Sequence, residues 1–280
     1  YFLNGRMKEL DEVFEKEIDV QRGMAQGHQL NDLWIEFLPR YLAVGSIGNY
    51  EHLDVHVKAG MLGLRPSRKM ILVVDPGAAV NNPCYLDYWK RYITVISDPA
   101  LIEMLAPLEK RLTVPFNSYI SLNGKMNKSF LALGIVRERW LNDKRLPLLT
   151  LSDKDYERGW QCLKSFGMKQ GYWFVCLHAI ERGWKDNNSS AEDFRNTDIN
   201  TYKLALKAVT DAGGWVIRMG DPTMKPLPSM PRVIDYAHSD EKSDWMDVFL
   251  CAQCRFFVGT SSGLFIFAMA LGTPVILTNL

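Results

Sequence analysis

The stretch Arg255-Phe-Phe-Val-Gly-Thr-Ser-Ser-Gly263 decides the fold of this chain. Its first half has the apolar pattern of a strand, and its second half is a short turn of glycine and hydroxyl residues. Residues 264–271 follow without a polar side, and a helix that is apolar all round has to be buried. The stretch therefore predicts a strand at 256–258 and a buried helix whose amino end points to the carboxyl edge of a sheet.

The turn between that strand and that helix has two interpretations. The free N–H groups of the first helical turn, the helix dipole and the hydroxyls of Thr260, Ser261 and Ser262 form a cradle for a phosphate. In the alternative interpretation, Thr260 or Ser261 only caps the helix, and Gly259 and Gly263 relieve crowding. The residues alone leave both interpretations open.

The composition excludes some classes of protein. The chain has 280 residues, of which 47% are hydrophobic, so it is long enough for one large domain or two of ordinary size. Lys and Arg number 33 against 32 for Asp and Glu, so no overall charge draws the chain to nucleic acid or to an anionic membrane. An anionic ligand therefore has to be held by a local site.

The cysteines and the ends of the sequence indicate a location. The five cysteines are odd in number and mostly lie in apolar patterns, which is typical of a reducing cytosol. No run approaches the roughly 18 apolar residues of a membrane span, and no signal peptide is recognisable. A strand-like run at 273–278 lacks the helix that normally follows. We therefore expect a cytoplasmic protein without an integral membrane segment, cut short after Leu280.

The first half of the sequence has a βαβ rhythm. An amphipathic helix is expected at 6–20, followed by a connecting region at 21–40. The pattern then predicts strands at 41–45, 70–74 and 92–96 and helices at 51–62 and 84–91. Prolines divide residues 97–150 into short helices and loops, and a long amphipathic helix at 151–166 leads to the second half.

The second half repeats this rhythm more clearly. Strands are predicted at 172–177, 215–218, 233–235, 256–258 and 273–278, with helices at 197–212, 243–251 and 264–271. The economical architecture is an α/β fold of two Rossmann-like domains that face a cleft. We place the boundary at residue 150, so that the domains comprise residues 1–150 and 151–280.

Two predicted strands of the second half end in charged or ionisable residues. Arg218 is expected over the carboxyl edge of the sheet, where its planar guanidinium suits a phosphate or carboxylate. An internal ion pair with Asp221 or Asp235 is the alternative. His178 ends another strand and precedes Glu181 in a polar loop, so both are candidate catalytic residues. A histidine with a purely structural role is the alternative.

The first half contains a weaker phosphate-loop pattern. The turn Gly45-Ser-Ile-Gly-Asn49 follows a predicted strand and precedes a helix, although it is neither a Walker A loop nor a full dinucleotide fingerprint. His52 and His56 lie one turn apart on that helix. A general base that faces the cleft, with His52 as the candidate, is the functional interpretation, and a solvated helix face is the alternative.

No metal site is predicted from these residues. His52-x-x-x-His56 lacks the glutamate of a zinc protease, and Cys251-x-x-Cys254 has no second cysteine pair. Arg195 precedes the predicted helix at 197–212, and capping by Asn196 or Thr197 does not explain it. An anion contact is the functional interpretation of Arg195.

Several spaced motifs of the second half carry a resemblance to a known family. They are Val175-Cys-Leu-His178, Phe194-Arg-Asn-Thr-Asp-Ile199, Gly213-Gly-Trp-Val-Ile-Arg-Met-Gly-Asp-Pro222, Met224-Lys-Pro-Leu-Pro228, Val233-Ile-Asp-Tyr-Ala-His238 and the run from Lys242 to Gly263. In this order they resemble a family of bacterial glycosyltransferases known mainly from surface-polysaccharide gene sets. The resemblance is strong over residues 171–280 and weaker over 41–100.

The resemblance implies a GT-B architecture, with a nucleotide-sugar donor in the carboxyl-side domain and an acceptor over the amino-side domain. It assigns the donor site to Arg218, Asp221, Gly259, Thr260, Ser261, Ser262 and Gly263, with His178 and Arg195 lining the cleft. The acceptor-side loop contains Gly45, Gly48 and Asn49. Two positions depart from the family pattern. Ile180-Glu181 stands where an Arg-Asp pair is expected, and Asn49 stands where related enzymes often carry histidine.

The function implied is transfer of a sugar from a nucleoside-diphosphate sugar to a hydroxyl of a glycan or lipid-linked acceptor. A base deprotonates the acceptor, while Arg218 and the amides of residues 259–263 stabilise the leaving diphosphate without a metal or cofactor. A nucleotide-sugar 2-epimerase and a non-catalytic glycan-binding homologue are the alternatives. A peripheral position at the inner membrane is the alternative to a freely cytoplasmic one.

Overall fold

A computed structural model of the chain describes residues 35–114, 119–181 and 196–279. The helix expected at 6–20 and most of the connecting region at 21–40 lie outside these residues. Among the described residues, no helix is both long and apolar enough to cross a membrane.

The amino-terminal half contains a parallel three-stranded sheet in the order β1-β2-β3. Its elements are β1 (Ile35–Leu38), α1 (Tyr41–Val44), a 3-10 turn (Ile47–Asn49), α2 (Tyr50–Met61), β2 (Lys69–Val73), α3 (Pro83–Trp89), β3 (Ile93–Ile96) and α4 (Pro99–Leu112). On the other side of β1, Thr113 forms a parallel bridge with Phe37. The order of connections therefore reverses at β1, as it does in a Rossmann-like sheet.

The first strand lies earlier than the sequence pattern predicted. The predicted strand at 41–45 is wrong, because these residues form the short helix α1, and β1 lies in the expected connecting region. A short apolar run does not distinguish a strand from a buried helical turn. Glu36, in the middle of β1, made the true strand look polar. Its carboxylate is buried and paired with His56 and Arg65, so the strand keeps a buried face.

The region 97–150 is more regular than predicted. α4 is continuous, with Asp98 capping the N–H of Leu101 and Pro107 inside the helix, so the division into short helices there is wrong. The elements that follow are β4 (Tyr119–Leu122), β5 (Lys125–Lys128), α5 (Ser129–Asn142) and α6 (Asp153–Ser165). β4 and β5 form an antiparallel hairpin whose two-residue turn, Asn123-Gly124, has positive φ at both positions. The helix at 151–166 is confirmed as α6, capped by Ser152.

The carboxyl-terminal half contains a parallel five-stranded sheet in the order β10-β9-β6-β7-β8. Its elements are β6 (Phe174–His178), a 3-10 turn (Ile199–Tyr202), α7 (Lys203–Asp211), β7 (Trp215–Arg218), β8 (Val233–Ile234), a 3-10 turn (Tyr236–His238), α8 (Asp244–Gln253), β9 (Phe256–Gly259), α9 (Gly263–Ala270) and β10 (Val275–Leu277). The strands expected in this half, and the buried helix after residue 263, are confirmed to within two or three residues at their ends.

The two sheets are separate, but their apolar side chains belong to one core. The ring of Tyr85 in α3 stacks on the ring of Phe267 in α9, with 3.8 Å between the centroids. Asn82, before α3, donates a hydrogen bond of 3.0 Å to the carbonyl oxygen of Asp244 in α8. The two halves are therefore in direct contact, while the domain boundary at residue 150 and the cleft stay predictions.

Candidate functional site

The order of the larger sheet locates a ligand-binding edge. The chain passes from β6 to β7 and β8 on one side and to β9 and β10 on the other, so the order reverses between β6 and β9. Ligands of open parallel sheets bind at the carboxyl ends of the strands at such a reversal. His178 at the end of β6 is opposite Gly259 at the end of β9. The stretch 255–263 therefore reaches the expected edge.

Gly259 and Thr260 hold the ends of β6 and β9 in close contact. A Cβ at Gly259 would lie 2.2 Å from the carbonyl oxygen of His178, so only glycine allows this approach. Thr260 is fully buried, and its Oγ1 accepts a hydrogen bond of 3.0 Å from the N–H of Ile180. The predicted donor contact through the Thr260 hydroxyl is corrected accordingly, because this side chain has a structural role.

Ser261 and Ser262 have a different environment. Ser262 is the residue before α9, and within the described part of the chain no side chain caps the first turn of this helix. Both serines are partly exposed as whole residues, whereas the Oγ atom of Ser262 is itself buried and has no hydrogen-bond partner among the described residues. The alternative interpretation, a helix capped by Thr260 or Ser261, does not match this geometry. The N–H groups at the amino end of α9 remain uncapped by side chains.

The acceptor-side turn lies against this helix end. A Cβ built at Gly263 would lie 2.8 Å from Cβ of Ile47 and 3.4 Å from the backbone nitrogen of Gly48. The Gly48 N–H donates to Ser46 Oγ at 3.3 Å, which fixes the 3-10 turn. A Cβ at Gly45 would lie 2.5 Å from the carbonyl oxygen of Tyr41. The structure therefore brings together the two glycine-containing turns that the sequence assigned to donor and acceptor sides.

His178 is a buried neutral base at this edge. Burial lowers the pKa of His178 to about 4, and the positive charges of Arg218 and Lys242 act in the same direction. Its Nδ1 atom has no hydrogen-bond partner among the described residues. The imidazole is therefore uncharged at neutral pH, and its buried Nδ1 makes no hydrogen bond within the described residues. His178 stays a candidate for the site.

Arg218 has partners inside the protein. It is fully buried, and its guanidinium lies 3.2 Å from Glu181 Oε2 and 3.1 Å from Asp235 Oδ1. It also donates to the carbonyl oxygen of Lys225 at 3.1 Å. The predicted role of Arg218 as a cation open to the donor is corrected, since the geometry agrees with the alternative of an internal ion pair. The sequence analysis gave Asp235 as a possible partner of Arg218, but it did not give Glu181.

Glu181 is also fully engaged. Besides Arg218, its carboxylate accepts the N–H of Lys225 at 2.9 Å and the N–H of Ile199 at 3.4 Å. The prediction of Glu181 as a catalytic residue is therefore corrected to a structural role. His238, which the sequence analysis did not single out, completes the cluster by contacting Asp235 at 3.0 Å.

Asp221 makes a local contact just after β7. Asp221 Oδ1 accepts the N–H of Thr223 at 2.9 Å, which closes a local turn after β7. Gly220, with φ of 149°, precedes it, and a Cβ there would lie 2.6 Å from Sδ of Met224. Arg195 lies outside the described residues. The donor roles of both residues stay predictions.

The two histidines of α2 separate into different roles. His56 is buried, and its Nε2 lies 2.8 Å from Glu36 Oε1, so it belongs to the core of the amino-terminal half. His52 is only partly buried, and burial lowers its pKa against the opposing effect of Glu51. Asn49, whose side chain lies across Gly45, begins the same helix. His52 remains the candidate base on this side.

A charged group at the edge of the smaller sheet was missed in the sequence. Arg40, just after β1, makes a two-point contact with Glu109, at 2.7 and 2.6 Å, and also contacts Asp75 after β2. The signal was the run 34–38 before Pro39, which is apolar except for Glu36 and marks a strand that ends beside Arg40. Assigning the strand to 41–45 concealed this residue.

Among the described residues, no three His, Cys, Asp or Glu side chains lie close enough together to hold a metal ion. Residues Asp153-Lys-Asp155 form an Asp-x-Asp run, a pattern that often binds a metal. It lies in the first turn of α6, where Asp155 bonds with Ser152 and with the hydroxyl of Tyr88. This run therefore has the contacts of a helix start.

The fold is similar to that of two solved glycosyltransferase structures. One is the family 9 glycosyl transferase from Veillonella parvula DSM 2008, with a TM-score of 0.55 and 10% identity, covering 87% of this chain and 79% of that one. The other is E. coli ADP-heptose LPS heptosyltransferase II, with a TM-score of 0.51 and 12% identity, covering 87% and 83%. No protein-family model and no curated protein matches the sequence. The likeness confirms the implied α/β, GT-B-like fold.

Proposed function

We propose that this chain is a glycosyltransferase that moves a sugar from a nucleoside-diphosphate sugar to a hydroxyl of a glycan or lipid-linked acceptor. One observation carries the proposal. The uncapped amino end of α9 lies at the reversal point of the larger sheet, and the turn 45–49 lies against it. An anion-binding helix end beside a second turn suits a donor diphosphate with an acceptor next to it.

The donor diphosphate would be held mainly by backbone groups. The N–H groups at the start of α9 and the hydroxyls of Ser261 and Ser262 supply hydrogen bonds that strengthen as negative charge develops on the leaving diphosphate. Arg218 and Glu181 would act as positioning residues, because their ion pair anchors the segment after β6. The second structural neighbour is named for ADP-heptose, so ADP sugars are the first donors to test.

A neutral imidazole would accept the proton of the acceptor hydroxyl. His52 follows the turn 45–49 on the acceptor side, and burial lowers its pKa, which favours the neutral form that a base requires. His178 lies on the donor side, where its Nδ1 suits a hydroxyl of the sugar or the nucleotide. We propose His52 as the base and His178 as a donor contact, with a mechanism that needs neither metal nor cofactor.

Thermal shift with ADP, GDP, UDP and CDP, and with their commercially available sugar conjugates, tests the donor site, because a ligand of the native state raises Tm. The double variant Ser261→Ala/Ser262→Ala should lose most of the shift while its Tm without ligand stays close to that of the unchanged protein. Ser165→Ala, on α6, is the matched control. No shift with any nucleotide would contradict the proposal.

The alternatives predict different products. An epimerase converts or hydrolyses the donor without an acceptor, whereas a transferase requires one. A glycan-binding homologue binds a polysaccharide fragment and no nucleotide. Incubating the protein with the donor that stabilises it, with and without acceptor and with and without EDTA, separates these outcomes and also tests metal independence. Loss of turnover in EDTA that returns with one metal would overturn the metal-free mechanism.

A further inference from the structure

Lys242 lies beyond the carboxyl end of β8. The chain turns back on itself there, because the Tyr236 hydroxyl accepts the N–H of Ser243 at 3.0 Å and donates to its carbonyl oxygen at 3.1 Å. Asp235, at the start of this turn, contacts Arg218 at the end of β7. The Lys242 ammonium lies 5.4 Å from the centroid of the Tyr236 ring. Lys242 is therefore on the carboxyl side of the larger sheet, where the candidate site is.

The ammonium of Lys242 is connected to both sides of that site. Its Nζ lies 2.5 Å from Oδ2 of Asp247, in the first turn of α8. One turn further along α8, Cys251 Sγ lies 3.7 Å from the carbonyl oxygen of Leu264, in the first turn of α9. Burial lowers the pKa of His178 to about 4, and the positive charge of Lys242 contributes to this shift. Lys242 therefore bonds to the helix that packs beside α9, and its charge reaches the end of β6.

Lys242 keeps hydrogen-bonding capacity that Arg218 has already used. Arg218 is fully buried and contacts two carboxylates and a carbonyl oxygen. The Lys242 side chain is 26% exposed, and within the described part of the chain only Asp247 accepts a hydrogen bond from its ammonium, which can donate three. The Asp247 side chain is only 10% exposed, so the ammonium is the accessible end of this ion pair.

A diphosphate at the amino end of α9 requires a positive charge nearby. The end of a helix is equivalent to only about half an elementary charge, which is less than the charge of a leaving diphosphate. The proposed mechanism uses no metal, so side chains have to supply the remainder. Arg218 does not do so, because Glu181 and Asp235 neutralise it. A lysine is well suited to this task, since its ammonium binds phosphate as a mobile point charge.

We propose that Lys242 binds the diphosphate of the nucleotide donor through its ammonium, while Asp247 and Tyr236 hold that ammonium at the carboxyl edge. The inference rests on the proposed function, because it assigns a further residue to the same ligand. One N–H of the ammonium keeps its bond to Asp247, and the others turn to the phosphate oxygens without breaking the ion pair. These bonds strengthen as negative charge develops on the leaving group.

Titration calorimetry at a fixed salt concentration tests this role. The ligands are whichever of ADP, GDP, UDP and CDP raises Tm most, its monophosphate and its nucleoside. Lys242→Met should weaken binding of the diphosphate by about tenfold or more, because a charge-assisted hydrogen bond is lost. The nucleoside should bind the variant and the unchanged protein equally. Lys242→Arg keeps the charge and should keep most of the affinity for the diphosphate.

Two further variants control for folding and for general effects of charge. Lys242→Met leaves the buried Asp247 without its cation, which destabilises the protein. Lys242→Met/Asp247→Asn removes both charges and should bind the diphosphate as weakly, with far-UV circular dichroism and Tm showing that it is folded. The matched control is Lys207→Met on α7, which breaks an exposed pair with Asp211 at 2.7 Å and should leave nucleotide binding unchanged.

The outcomes separate this inference from the proposed function. Full affinity for the diphosphate in the folded double variant, alongside a loss in Ser261→Ala/Ser262→Ala, would overturn the role of Lys242 and leave the donor site standing. An equal loss for the nucleoside, or an equal loss in Lys207→Met, would also refute a phosphate contact. Failure of the unchanged protein to bind any of the four nucleotides would overturn both the proposed function and this inference.

Discussion

The backbone N–H of Thr260 donates a hydrogen bond of 3.0 Å to the carbonyl oxygen of His178. This bond, together with the Thr260 hydroxyl on Ile180, joins the ends of β6 and β9 where the order of the sheet reverses. The next two residues, Ser261 and Ser262, are partly exposed and lie at the amino end of α9. The proposed function therefore assigns stability to Thr260 and ligand binding to Ser261 and Ser262, its neighbours in the same turn.

That division predicts opposite effects of substitutions in the turn. Thr260→Val keeps the shape but leaves the Ile180 N–H without its acceptor, so the free energy of unfolding should fall by about 1–3 kcal/mol. Ser261→Ala and Ser262→Ala should change it by less than about 0.5 kcal/mol. Urea unfolding followed by circular dichroism measures both. A larger loss for either serine would show that it caps the helix after all.

The buried pair of Arg218 and Glu181 predicts a strong effect on stability. Arg218→Met should lower the free energy of unfolding by about 3–5 kcal/mol, because it leaves the carboxylates of Glu181 and Asp235 buried without their cation. Arg218→Lys should keep only part of this free energy of unfolding, since a single ammonium does not reach both carboxylates. Denaturant unfolding of these variants and of Arg218→Met/Glu181→Gln provides the comparison. An Arg218→Met protein of unchanged stability but weak nucleotide binding would restore the original prediction of a donor contact.

Glu36 predicts a loss of stability in acid. His56 and Arg65 lower its pKa from 4.5 to about 2 even though burial opposes them. Because the folded pKa lies below the unfolded one, the unfolded state takes up the proton first as pH falls. The contribution of Glu36 is therefore complete above about pH 5 and is lost between pH 4.5 and about 2, up to about 3 kcal/mol.

Unfolding measured against pH checks this prediction. Glu36→Gln should be less stable at pH 7 and should show a flatter decline in acid than the unchanged protein. Glu138→Gln, at an exposed position of α5, serves as the control and should leave the curve unchanged. Parallel curves for Glu36→Gln and the unchanged protein would mean that Glu36 does not carry the acid sensitivity.

The close approach of Gly263 to Ile47 predicts that substitutions in the two turns are energetically coupled. Gly263→Ala puts a Cβ only 2.8 Å from Cβ of Ile47, so the turns have to move apart, at a cost of about 1–3 kcal/mol. Ile47→Gly removes that atom and should recover part of the loss, whereas Ile47→Ala keeps it and should not. A double-mutant cycle in urea measures the coupling energy. Simple additivity of Gly263→Ala and Ile47→Gly would show that the turns are not in contact.

Much of the fold could be predicted because the larger sheet consists of buried parallel strands with clear apolar runs. Residues 215–218 are a strand as predicted, and the apolar segment after Gly263 is the buried helix. The first strand could not be found, because Glu36 interrupts its apolar pattern. The partners that make a buried glutamate acceptable, His56 and Arg65, are distant in sequence. Prolines indicated breaks, although Pro99 opens α4 and Pro107 lies within it.

The sequence indicated where the two turns lie better than it indicated what the individual residues do. The turns 45–49 and 259–263 were both named, and they lie together. Arg218 ends β7 and Glu181 follows the end of β6, as the sequence indicated, but their tertiary partners decide what they do. A sequence gives the charge of a side chain and not the distance to its counter-charge, so an arginine that binds a ligand and one that pairs internally look alike.

The stacked rings of Tyr85 and Phe267 constrain how the molecule can move. A hinge motion that swings the two sheets apart has to separate these rings and expose the apolar core around them to water. Wide opening is therefore costly, and we expect the two halves to exchange their amide hydrogens as one cooperative unit. A ligand would then reach the amino end of α9 along the surface turns, with motion confined to loops rather than shared by whole halves.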